Sequence, residues 1–169
     1  TMTSREVDAA LTLHPRVRLS AAAGAGAVRG ADVPNDRRTM MTALRVKPNR
    51  ALTLVALHRE TRWDAAAPGR YFAPARFALT EGSAQWEWPR DLGLIATFEF
   101  GAGAQLVRFD GAESVRRLAP RTSARFGWRA APGREIALGL LQANVAAAGT
   151  LTASEYRYRA LSIDARWSF

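Results

Sequence analysis

The 169-residue chain has no cysteine, only two histidines, and a single lysine, Lys47, among its 24 basic residues. Without cysteine there is neither a disulfide framework nor a thiolate metal site, and no other metal-ligand spacing is present, so no cofactor or metal is expected. No run of about eighteen apolar residues occurs, which excludes a helical membrane span. The opening TMTSREV lacks a charged stretch followed by an apolar one, so the expectation is a removed leader or a piece of a longer protein. The hydrophobic fraction of 48% suits a globular protein and a membrane β-barrel equally, so the pattern has to decide between them. The net charge of +9 is spread as single arginines between apolar neighbours. A nucleic-acid surface would need those charges on one face with exposed aromatics among them, so no nucleic acid is expected as a partner.

Read with a period of two, the chain resolves into about nine segments. Val7, Ala9, Leu11 and Leu13 share one face of the first, and Val17, Leu19, Ala21 and Ala23 one face of the second. Segment 50–63 is apolar on both sides at LTLVAL, leaving its orientation open. The clearest segment is 94–109, where Phe98, Phe100, Ala102 and Ala104 oppose Thr97, Glu99, Gly101 and Gly103. Several segments approach the nine to eleven residues that a tilted membrane strand needs. Short proline-bearing turns (HPR at 14–16, KPN at 47–49, WPRD at 88–91, APG at 131–133) alternate with longer linkers such as GADVPNDRR and DGAESVRRLAP. That alternation predicts an antiparallel up-and-down transmembrane β-barrel filling 1–169, as a single domain or the C-terminal portion of one.

The aromatics fall near the two ends of these segments. Trp86, Trp88, Trp128 and Trp167 lie toward the short turns, and Trp63, Tyr71 and Tyr156 toward the long linkers, as two interfacial girdles would require. The alternative is that they fill a soluble core, in a soluble β-barrel that binds an apolar ligand. If the C-terminus is periplasmic, the first and ninth strands both run downward. A barrel of even strand number would then lack an upward strand before Thr1.

The final segment alternates Leu161, Ile163, Ala165, Trp167 and Phe169 with polar residues. It resembles the C-terminal signal read by the outer-membrane barrel-assembly machinery, with Ala165 smaller than usual. The stretch GRYFAPARFAL, 69–79, with Tyr71, Phe72, Pro74 and Phe77, resembles the C-terminal barrel of cellulose synthase operon protein C and related tetratricopeptide-repeat barrels. Ala73 replaces the usual residue before the proline, and no such repeat occurs in this chain. The resemblance implies the outer membrane of a Gram-negative-type bacterium, lipid as surroundings, a periplasmic repeat domain, and export of an exopolysaccharide.

With apolar faces toward lipid, the other faces line a lumen that holds Arg18, Arg45, Gln85, Glu99, Gln105, Arg125 and Asp164. Arginine or lysine facing lipid at the midplane would cost roughly 2–4 kcal/mol, a cost the lumen avoids. These residues either line an open pore or pair across strands in a closed, structural anchor barrel. No enzyme is expected. His14 lies at a periplasmic turn, and His58 with Glu60 would need Ser83, on the neighbouring strand, within hydrogen-bond reach.

Overall fold

A computed structural model of the chain describes residues 2–28, 35–64, 74–88, 93–109, 111, 113–131, 134–143 and 158–167. These form ten strands: β1 (Met2–His14), β2 (Val17–Val28), β3 (Asn35–Val46), β4 (Leu52–Trp63), β5 (Arg76–Glu87), β6 (Leu94–Arg108), β7 (Val115–Leu118), β8 (Arg121–Ala131), β9 (Arg134–Ala143) and β10 (Tyr158–Trp167). All lie in one antiparallel sheet in the order β1-β2-β3-β4-β5-β6-β8-β9-β10, with the short β7 paired to β6 beyond the end of β8. The nine long strands match the nine alternating segments, and β7 is an extra strand inside the linker DGAESVRRLAP.

Among the described residues β1 and β10 do not meet, so the sheet is an up-and-down meander with two edges and not a closed barrel. Both edges run in the same direction, because nine antiparallel neighbours separate them by eight reversals. The expected contrast between turns and linkers is also weaker than the sequence suggests. Asn35–Arg37 extend β3 to pair with Val28, shrinking the second connection to residues 29–34, no longer than the connection 88–93 between β5 and β6.

Residues directly opposite in an antiparallel ladder project on the same side, so the register assigns faces across the whole sheet. One row of cross-strand partners runs His14, Val17, Val46, Leu54, Ala84, Phe100, Thr122, Gln142, Arg159. The first turn lies on this row, β5 continues three residues past it to Glu87, and β9 begins eight residues past it at Arg134. Such a progressive stagger is the shear that accompanies strands tilted about a common axis.

The face holding Val7, Leu19, Leu44, Leu54, Phe100, Leu138 and Ile163 is apolar and exposed, with Phe100 63% and Ile163 73% accessible. Its opposite holds Thr53, Glu81 and Gln105, all buried. The sheet curves toward this polar face, where side-chain positions converge. A Cβ at Gly103, on the polar side, would stand 2.2 Å from the Thr80 carbonyl oxygen, whereas one at Gly82, on the apolar side, would meet nothing within 4 Å. No helix among the described residues is long and apolar enough to cross a membrane, which says nothing of strands.

The curvature makes a pair of substitutions informative. Gly103→Ala forces β5 and β6 apart and is expected to cost about 1–3 kcal/mol in denaturant unfolding, within the range for overpacked sites. Gly82→Ala should be neutral or slightly stabilising, because the residue gains strand propensity in open space.

Candidate functional site

Among the described residues the concave face gathers ionisable groups from several strands with defined partners. The period-two pattern of β5 carries Glu81, Ser83 and Gln85 inward, that of β6 carries Thr97, Glu99 and Gln105, and that of β8 carries Arg121, Ser123 and Arg125. All seven residues expected to line a lumen, Arg18, Arg45, Gln85, Glu99, Gln105, Arg125 and Asp164, project on this face.

Its centre is a three-strand charge cluster. One Arg121 Nη2 donates to Glu99 and stands 2.9 Å from Glu81 Oε1, and the Ser123 hydroxyl donates to Glu99 at 3.4 Å. Glu81 is only 5% exposed, so its carboxylate depends on that guanidinium for compensation. Toward the short turns, Arg125 and Arg129 each place a guanidinium nitrogen 3.0 Å from a different oxygen of Glu135. Nearby, Gln85 Nε2 donates to Glu87 at 3.1 Å. On β2 and β3, Arg18 and Arg45 are direct cross-strand neighbours.

The polar face is not polar throughout. Toward the long-linker end Phe77, Leu79 and Ala119 form a buried apolar cluster, with Val107 and Phe109 packed against it. Trp63, grouped with the outer girdle from its sequence position, also projects on this concave face, buried, with Arg37 5.6 Å from its ring centroid. β4 accounts for this placement. LTLVAL is apolar on both sides, and the register turns Leu52, Leu54 and Ala56 outward, which sends Thr61 and Trp63 inward.

The short-turn aromatics lie outside. Trp86, Trp88 and Trp128 are exposed, Trp86 meets Trp88 edge-on at 5.2 Å and stacks on Phe98 at 5.9 Å, and Phe98 meets Phe126 edge-on at 5.2 Å. Leu161 and Ile163 project outward from β10, and Trp167 pairs with Arg134 in its ladder. Tyr71, Tyr156 and Phe169 lie outside the described residues, as does the segment 69–73 of the GRYFAPARFAL stretch.

The histidine set considered from sequence does not assemble. His58 projects on the outer face, its Nδ1 2.8 Å from the Thr80 hydroxyl and its Nε2 4.0 Å from Glu60, whereas Ser83 projects inward. Glu81, Arg121 and Glu135 were not singled out from sequence. Extending the alternation of Ser83, Gln85 and Glu87 backward by one step reaches Glu81, and the parity of Arg125 reaches Arg121. The pairing between them depends on which strands are neighbours.

Removing the shared cation should expose that dependence. Arg121→Gln leaves Glu81 and Glu99 facing each other and is expected to cost about 1–3 kcal/mol, less than a fully buried pair because Arg121 is partly solvated. Adding Glu81→Gln to that variant should recover most of the loss in denaturant unfolding; equal instability of the single and double variants would contradict the cluster's role. No family model, no curated protein and no solved structure matches this chain.

Proposed function

We propose that the chain forms the wall of an outer-membrane β-barrel that acts as a pore or export channel for polar solutes, an exopolysaccharide among them. One observation carries this reading: below its long-linker rim the exposed convex face is predominantly apolar, while the concave face buries the Glu81–Arg121–Glu99 and Arg125–Glu135–Arg129 clusters. In water the exposed apolar surface that runs from Val7 on β1 to Ile163 on β10 would be an association surface far beyond the few hundred Å² tolerated on monomers. Against hydrocarbon it has no such cost, and the charged face then borders an aqueous interior. The exposed tryptophans at the short-turn end support the same orientation, because amphipathic rings settle at the headgroup level.

A second reading is favoured by the ion pairs on the concave face. Glu81–Arg121–Glu99 and Arg125–Glu135–Arg129 tie neighbouring strands together, and the Phe77–Leu79–Ala119 cluster fills the long-linker end. An interior occupied in this way suits a closed barrel that serves as a membrane anchor.

Partition into detergent with heat-modifiable gel migration is the outcome expected of both readings, and a stable monomer in plain buffer would overturn both. In lipid vesicles Phe100→Arg, at mid-strand on the convex face, should lower unfolding stability by roughly 2–4 kcal/mol. Ser83→Arg, on the concave face beside Glu81, should change it little. Stepwise ion conductance in planar bilayers, shifted toward cations by Arg18→Glu with Arg45→Glu, is expected of the channel. A silent bilayer would leave the anchor.

A further inference from the structure

The convex face concentrates its charge along its long-linker rim, with Arg134 and Arg159 standing apart on β9 and β10. A single row of the ladder runs Arg5, Ala25, Arg38, Arg62, Arg76, Arg108, so that five of six consecutive strands present arginine at the same register. All five are on the apolar side and none is buried. Arg62 and Arg76 lie at the long-linker ends of β4 and β5, and Arg108 ends β6. Directly opposed like charges stand about 5 Å apart at Cβ and are destabilising. Glu60, one row pair inward, compensates part of this: its two oxygens accept from Arg62 Nε and, at 3.0 Å, from Arg76 Nη2. Asp36 and Asp64 lie one row pair further toward the linkers. Five arginines against three carboxylates leave the patch cationic, and Arg116, opposite Leu106 on the same face, adds to it.

Below this row small residues make a track. Ala78, Thr80 and Gly82 on β5 adjoin Leu106, Ala104 and Ala102 on β6, with Glu60, His58 and Ala56 along the β4 side. The track ends in a shallow apolar hollow of about 510 Å³ beside Leu44, Leu54 and Phe100. From Arg76 to Gly82 is about 20 Å along the strand at 3.3 Å per residue. At a tilt of 35–45° that is about 15 Å along the membrane normal, half the thickness of the hydrocarbon core.

From this geometry we infer that the convex face holds a phosphorylated lipid at its long-linker rim. Arg62, Arg76 and Arg108, flanked by Arg38, grip the phosphate, and an acyl chain lies down the small-residue track into the hollow. Guanidinium forks suit phosphate oxygens because two parallel N–H donors match them, and the bound dianion relieves the repulsion along the row. The inference rests on the convex face being the lipid-facing one.

The test uses the full chain folded in neutral-detergent micelles, with retained lipid read by native mass spectrometry. Bisphosphorylated lipid A is the probe, compared with its dephosphorylated form and with inorganic phosphate. The bisphosphorylated lipid should be retained at least tenfold more strongly than the dephosphorylated one, and less so as salt is raised. Combined Arg62→Gln, Arg76→Gln and Arg108→Gln should abolish that preference, while Arg18→Gln with Arg45→Gln on the concave face should keep it. Equal retention of both lipids by the unmutated chain, which needs no variant to fold, would overturn the inference. So would displacement by millimolar inorganic phosphate, which would mark a site for the free anion. A chain that enters micelles yet shows no preference refutes this site alone; a chain that stays monomeric without detergent refutes the membrane reading beneath it.

Discussion

Cross-strand register is the constraint on which the rest of the molecule depends. Side chains alternate along each strand, so a slip of one residue between any two neighbours would turn every apolar residue of one strand to the opposite side. Nine long strands hold a common parity here, from Val7 on β1 to Ile163 on β10. The apolar side is coherent only because eight successive pairings keep it so. The ion pairs reinforce that register. Arg121 can reach Glu81 and Glu99 together only when β5, β6 and β8 keep their alignment.

Curvature gives the two faces different chemistry. Side chains on the concave side converge, so small residues and compensated polar groups occupy it: Gly103 and Gly127 where backbone comes close, Glu81 and Gln105 where burial is deep. On the convex side they splay, and large residues such as Phe100, Phe126 and Trp128 stand out from the sheet. A water-soluble sheet of this curvature would carry the opposite polarity, with its apolar residues in the convergent interior. The reversal of that rule links the geometry to the membrane proposal.

Much of this was legible in the chain's alternation. The nine long strands and the inward direction of Arg45, Glu99, Gln105 and Arg125 follow from period two alone, because β geometry gives adjacent residues opposite sides. Trp63 was misleading because LTLVAL is apolar on both sides; the pairing of Leu54 with Val46 and Ala84 settles the parity of β4. β7 was hidden for another reason. Val115–Leu118 has no sustained alternation, and it pairs only because β6 extends past the end of β8. The short second connection was hidden likewise, since Asn35 and Asp36 are strand by their pairing with β2.

By itself, the sequence determined that the chain is all-β, how many long strands it has, and which residues of each strand keep company, because those properties depend on local periodicity. Tertiary structure decided which side is concave, how far each strand is staggered against the next, and that five arginines distant in sequence fall on one row. Stagger and curvature are properties of strands in contact, set by backbone twist and by the hydrogen bonds between neighbours. No segment carries them alone.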